Sequence, residues 1–272
     1  MSDALTGVTE GQTAWRRPPF ITNAWLRWSL IVGALIYLVL GVGSLEVNWA
    51  RVVQGLERGY LFVKAFLSPD FTSRLEDIQR GFIESLTMTV TSTAVGVLLS
   101  IPVAVGAATN LAPRWIYLIC RSFIAVSRTL NEIIVAILLV AMFGFGPFAG
   151  FLTLTFATIG FMAKLLAEDI EEIDPDQLDA LRATGATFWQ RLDFGVLTQV
   201  LPRLIGLSMY RLDINFRESA VIGIVGAGGV GDTLNTAMDR YEYGSAAAVI
   251  LIIIAIVMVA EYTSGILRKR IQ

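Results

Sequence analysis

Between Trp115 and Leu166 the chain stays predominantly apolar for far longer than the roughly 20 residues that carry one helix across a bilayer. Gly144-Phe145-Gly146-Pro147 interrupts the run, because proline cannot continue a helix and glycine favours a break. The run therefore predicts two membrane spans, at 115–143 and 147–167. Similar stretches occur at 26–45, 83–109, 199–225 and 244–266, each with few charges. The expected fold class is all-α: a polytopic membrane protein with about six transmembrane helices. Composition agrees, with 55% hydrophobic and 16% charged residues and a mean hydropathy of +0.65, against roughly 25% charge in soluble domains.

Composition also removes function classes. A net charge of −2 argues against a nucleic-acid partner. The chain has no histidine and one cysteine, Cys120. Imidazole catalysis, cysteine–histidine dyads and nearly all zinc sites are thereby excluded, and Cys120 in its apolar run reads as a buried, inert thiol. No catalytic residue and no metal site is expected. A phosphate-binding P-loop needs a Gly-Lys step, yet Lys64, Lys164 and Lys269 follow Val63, Ala163 and Arg268. Any nucleotide energy must come from another polypeptide.

The first 24 residues are polar, and the long run from Trp28 to Leu45 without a small-residue cleavage site reads as a transmembrane helix rather than a signal peptide. Six spans place both termini on one side. Arg16, Arg17 and Arg27 before the first span, and Arg268, Lys269 and Arg270 after the last, make that side cytoplasmic. The expected organisation is a cytoplasmic tail at 1–25, a first span at 26–45, an extracytoplasmic segment at 46–82, and a membrane core at 83–272. Within 46–82, apolar residues recur at helical spacing (Val52, Val53, Leu56, Tyr60, Val63, Phe66, Leu67), as in a helix lying in the membrane interface.

Parity places a polar loop, about 169–198, in the cytoplasm. Asp174 is a suitable N-cap, Pro175 suits the first helical position, and Gln177 completes a capping box. Gly185 suits a left-handed C-cap, and Thr187 with Gln190 caps a second helix that leads back toward the bilayer. Asp179-Ala180-Leu181, then Gly185, then Gly195-Val196-Leu197 resembles the cytoplasmic Glu-Ala-Ala…Gly…Ile-x-Leu-Pro signature of permease subunits of binding-protein-dependent ABC importers. Asp179, Leu181 and Thr198 depart from it, and a Leu-Pro step follows at Leu201-Pro202. Ser68–Phe71, Arg128–Glu132, Gly144–Gly150, Thr158–Gly160, Lys164–Glu168 and Ile224–Gly231 resemble landmarks of the phosphonate-type members, with Leu130 where those carry proline.

The resemblance implies a type I-like permease fold in a bacterial inner membrane, importing phosphonate, phosphite or phosphate at the expense of ATP. It implies a second copy of the chain, two ATPase subunits that bind ATP and Mg, and an extracytoplasmic binding protein as partners. This chain itself would hold no cofactor. By the same resemblance Asp179, Ala180, Leu181, Ala183 and Gly185 belong to the helix that docks on the ATPase.

Two further features carry alternatives. Gly226-Ala227-Gly228-Gly229-Val230-Gly231 satisfies the dinucleotide pattern GxGxxG, but no soluble βαβ unit surrounds it. It reads as a turn between the fifth and sixth spans, either part of a gate or a plain reversal, its glycines allowing close approach and positive φ. Charges at four-residue spacing also fall inside spans: Arg128 with Glu132, Asp213 with Arg217 (Arg211 and Glu218 beside them), and Lys164 with Glu168. Four residues is one helical turn, so each pair can neutralise itself. Lys164 and Glu168 read as helix glue. Arg128, Glu132, Asp213 and Arg217 are glue or the lining of an oxyanion path, where a guanidinium fork suits the anion. The competing function is an ion-coupled secondary transporter with Glu132 or Asp213 as proton site, though no inverted repeat is visible.

Overall fold

The computed structural model describes residues 21, 23–45 and 48–271; Arg16 and Arg17, and the side chains of Arg268, Lys269 and Arg270, lie outside the described set. Helices stand at all six expected places. They are α1 (Ala24–Gly43), α3 (Leu75–Ala107), the pair α4 (Arg114–Thr129) and α5 (Glu132–Phe143), α6 (Pro147–Glu171), α9 (Thr198–Gly223) and α11 (Tyr243–Ile271). Between them lie α2 (Trp49–Ala65), α7 (Pro175–Ala183), α8 (Phe188–Gln190) and α10 (Val230–Asp239). No strand occurs among the described residues. Length and apolar composition qualify α1, α3 and α6 as membrane spans, with α4–α5 a fourth if the bent pair counts as one. Charges inside α9 keep it from qualifying.

The chain divides into two compact units, at Glu57 and Arg58. In the first, α1 begins where Asn23 accepts a hydrogen bond from the Trp25 amide at 3.1 Å and buries no residue. A helix that is apolar all round needs hydrocarbon or another helix as its solvent. The expected helix after residue 47 is α2, and Val53, Leu56, Tyr60 and Val63 on it are exposed.

The second unit is built on α3 against α6. Small residues one turn apart (Gly81, Ser85, Thr89, Ser92, Gly96, Ser100, Ala104) form the buried face of α3. Between lipid-embedded helices there is no hydrophobic driving force, so close backbone approach and dispersion do the holding. A Cβ on Gly96 would lie 2.5 Å from Thr158 Cγ2 of α6, and one on Gly160 would lie 2.1 Å from Ser127 Oγ of α4. A larger side chain at either position would push the helices apart. Cys120 is half-buried, and its Sγ is 2.6 Å from where a Gly106 Cβ would stand.

The long span expected at 115–143 is broken. The axes of α4 and α5 meet at 94°, with Leu130 extended (φ −81°, ψ 127°) and Asn131 capping α5 by accepting from the Ile133 amide at 2.8 Å. An asparagine N-cap makes the break without proline. The break at 144–147 is as expected: Gly144 and Gly146 have φ of 90° and 134°, and Pro147 opens α6.

Three apolar clusters stack along the helices. One holds Ala104, Met162, Leu166, Val196 and Leu204, a second Met88, Leu154 and Ile222, and a third Ile78, Ala220, Val230 and Val249. Between the first two runs a buried polar layer, in which Asn215 Nδ2 of α9 donates to Thr93 Oγ1 of α3 at 2.8 Å and to Thr158 Oγ1 of α6 at 2.9 Å. The Asn215 amide and the Thr93 and Thr158 hydroxyls are all partnered, which is what makes their burial tolerable.

Candidate functional site

The polar loop folds as expected with one correction. Asp174 caps α7, accepting from the Asp176 amide at 3.0 Å, and Pro175 opens it. The capping box expected from Gln177 does not form. The Asp174 amide donates instead to Gln199 Oε1 at 3.1 Å, so α9 supplies the acceptor. The other end closes as a Schellman turn: Gly185 N–H reaches Arg182 O at 3.0 Å and Ala186 N–H reaches Leu181 O at 3.2 Å, with Gly185 at φ 78°. Thr187 and Gln190 form the expected capping box.

From Phe188 the helix runs without interruption into α9, through a π-helical stretch at Arg191–Leu197. There the α7 helix docks on Gly195. A Cβ at Gly195 would lie 2.8 Å from Leu178 Cδ2 and 2.9 Å from Leu181 Cδ1. Gln199 bridges the same elements, since its Nε2 also donates to Gly195 O at 2.8 Å. Leu178 is buried and Leu181 half-buried against this helix, while Asp179, Ala180 and Ala183 face outward. Any displacement of α7 must therefore be felt by α9. Sequence reading missed Leu178, Gly195 and Gln199 as the parts that fasten α7. The Leu178/Leu181 spacing, one helical turn, was the available signal.

The charges inside the helices are arranged differently from expectation. Arg217 Nη2 meets Asp213 Oδ2 at 2.6 Å and Lys164 meets Glu168 at 3.9 Å, both as expected. Arg128 and Glu132 do not pair, because the bend at Leu130–Asn131 separates them onto two helices. Arg128 closes α4 and Glu132 opens α5, so each sits at the helix terminus whose dipole favours it. Arg128 lies over the Phe161 ring, 5.4 Å from its centre, and Arg211 lies over the same ring at 5.3 Å. Arg211 is 2% exposed; its Nε donates to Thr158 Oγ1 at 3.2 Å and its Nη2 to Glu218 Oε2 at 3.0 Å. The Arg211–Glu218 pair spans two helical turns, a spacing that a one-turn search does not find, and Phe161 carried no charge to draw notice.

The glycine turn is tight. Gly226, Gly228 and Gly229 have φ of 88°, 75° and 80°. Gly146 N–H donates to Gly226 O at 3.0 Å, so this turn is laced to the break before α6. Gly231 instead serves close approach, with α10 pressed onto the end of α9. A plain reversal loop was one expectation; the structure places the ten-residue α10 there. Gly229 N–H donates to Glu84 Oε2 at 3.1 Å and Val230 N–H to Ser85 Oγ at 2.9 Å. A polar cleft of about 500 Å³ opens beside the turn, lined by Arg74, Arg80, Arg240, Asp77, Glu84 and Asp232 among others. Among the described residues no group of three or more Cys, Asp or Glu side chains is placed to hold a metal ion.

A bundle of apolar helices thus carries an exposed helix, α7, fastened to α9. The chain belongs to the family of binding-protein-dependent transport system inner membrane components, whose profile matches residues 65–272. It is 39% identical over 204 residues to a phosphate-import permease protein of Mycolicibacterium smegmatis, covering 75% of this chain and 38% of that protein. It is 35% identical over 245 residues to a phosphite transport system permease protein of Stutzerimonas stutzeri, covering 90% and 88%. Among solved structures, the inward-facing methionine ABC transporter MetNI superposes with a TM-score of 0.64 at 23% identity, over 73% of this chain and 98% of that one. At that identity the superposition speaks for the fold.

Proposed function

We propose that this chain is the membrane-embedded, non-catalytic subunit of an ATP-driven importer of phosphorus oxyanions: phosphate, phosphite or phosphonate. Two copies would form the pathway, with two ATPase subunits at the cytoplasmic face and an extracytoplasmic binding protein delivering the anion. The observation that carries the reading is α7, an exposed helix capped at both ends and held by Leu178, Leu181 and Gln199 to the helix that becomes α9. ATP-driven closure of the ATPases would move α7, and α9 with it, switching the pathway between its two faces. The substrate class is supported by the phosphate and phosphite permeases that this chain resembles. Asp179, Ala180, Ala183 and Gly185 would meet the ATPase, Arg128, Glu132, Asp213 and Arg217 would lie on the path, and Gly226, Gly228, Gly229 and Gly231 would shape its gate.

Cysteines at Ala180 and Ala183, introduced in a Cys120→Ala background, test the docking. Both are expected to crosslink to the ATPase subunit in the assembled complex. Labelling of either by a membrane-impermeant reagent from outside intact cells would overturn the reading.

A further inference from the structure

The buried polar layer of Thr158 and Asn215 adjoins a cluster that the docking helix does not explain. Arg128 of α4 and Arg211 of α9 both lie over the ring of Phe161 of α6, and Glu218 of α9 pairs with Arg211. Arg211 is in the electrostatic field of Glu218, Glu132 and Arg128. A charge at bilayer mid-depth costs roughly 2.5–3.5 kcal/mol on insertion scales, so two arginines here call for counter-charges. Arg211 has one in Glu218. Arg128 is exposed, has no carboxylate within 4.0 Å among the described residues, and lies over the ring. Arg211 Nε is held by Thr158 and its Nη2 by Glu218. A tetrahedral oxyanion supplies what the cluster lacks: several acceptor oxygens and negative charge on one centre.

We infer that Arg128 and Arg211, set over Phe161, form a transient oxyanion station, and that Glu218 is its built-in competitor. This rests on the oxyanion-importer reading above. In the empty state the Glu218 carboxylate occupies the Arg211 fork. An arriving phosphate or phosphite spans Arg128 and Arg211 and displaces Glu218 from the Arg211 fork. The returning carboxylate then expels the anion. Such exchange keeps binding weak enough for passage, as a conducting site requires. Arg211 is prevented from following the anion by Thr158 Oγ1, itself fixed by Asn215 in the buried layer. Phe161 sets the spacing of the two cations, since a guanidinium over a ring is held by the ring's negative face.

The test uses the purified complex of this chain with its ATPase, in two assays. The first is retention of radiolabelled inorganic phosphate by the complex in detergent, without binding protein, after rapid filtration. The second is phosphate uptake per ATP hydrolysed in proteoliposomes with binding protein outside. Glu218→Gln is expected to raise retention roughly tenfold, the equivalent of about 1.4 kcal/mol, and to slow uptake while ATP hydrolysis continues. Adding Arg128→Gln to it is expected to abolish the gain. Should Glu218→Gln assemble poorly, Glu218→Asp withdraws the carboxylate by one methylene and is expected to raise retention to a smaller degree. Lys164→Gln, outside the cluster, serves as control. Unchanged retention in the Glu218 variants, while the native complex imports phosphate, overturns the station alone. Failure of the native complex to import phosphate, phosphite or methylphosphonate overturns the oxyanion reading and the station with it.

Discussion

A methyl group on Gly231 would stand 1.9 Å from the carbonyl oxygen of Ala220. Backbone cannot yield as a flexible side-chain tip can, so Gly231→Ala is expected to force α10 off the end of α9. The measurable outcome is a sharp drop in membrane-inserted, monodisperse protein; a native level of well-folded protein would refute the packing. Gly185 presents the opposite case. Nothing lies within 4 Å of its missing Cβ, but its φ is +78°. The obstacle there is conformational, costing about 1–2 kcal/mol for an ordinary L-residue. Gly185→Val is therefore expected to leave insertion intact and lower uptake per ATP hydrolysed, because the Schellman turn that ends α7 is lost. Gly185→Asn, which tolerates the left-handed region, is expected to retain most coupling. Equal behaviour of the two variants would mean that the turn is not what matters.

Elements carry the next level of cause. The starts of α3 and α11 are joined outside the membrane core by Arg74, which pairs with Glu242 at 2.5 Å, and by the Asp70 amide donating to Gly244 O at 3.1 Å. The Ser73 hydroxyl and amide, with those of Thr72, hold the Asp70 carboxyl far below the usual carboxylate range. The Arg74 hydrogen bond lowers Glu242 likewise. Both folded-state values are depressed, so their stabilisation is complete above the unfolded value of about 4 and lost as pH falls through the folded values. Asp70→Asn and Glu242→Gln are expected to melt below the native protein by a constant margin from pH 5 to 7, a margin that narrows below about pH 4. A margin as wide at pH 3 as at pH 7 would contradict the clamp. The same scale shows what the chain discloses before folding. Caps and breaks are local, so Asp174, Gly185, Thr187 and Pro147 were legible from residue type. The Leu130–Asn131 bend was hidden because an asparagine inside an apolar run does not announce a helix end as proline does. Gln177 was passed over for Gln199 because the competing acceptor comes from a helix 25 residues away.

For the whole molecule, apolar run length was enough to find where the helices fall, since each must satisfy its own backbone in lipid. It was not enough to find the charge layer. Arg211 and Glu218 lie two turns apart on α9, beyond a one-turn spacing rule, and Thr158 reaches Arg211 and Asn215 only through packing of α6 on α9. The absence of a Gly-Lys step has a molecular consequence as well. The purified chain alone is expected to hydrolyse no ATP and to move no phosphate under any imposed ion gradient. Accumulation of phosphate by the chain alone under a proton gradient would restore the secondary-transporter alternative.

The most direct measurement of the central claim is phosphate uptake into proteoliposomes containing this chain with its ATPase, binding protein outside and MgATP in the lumen. Accumulation is expected to require all three proteins and ATP, and to fall in Gly185→Val while ATP hydrolysis persists. Uptake that proceeds without lumenal ATP, or that is indifferent to Gly185→Val, would contradict an importer driven through α7.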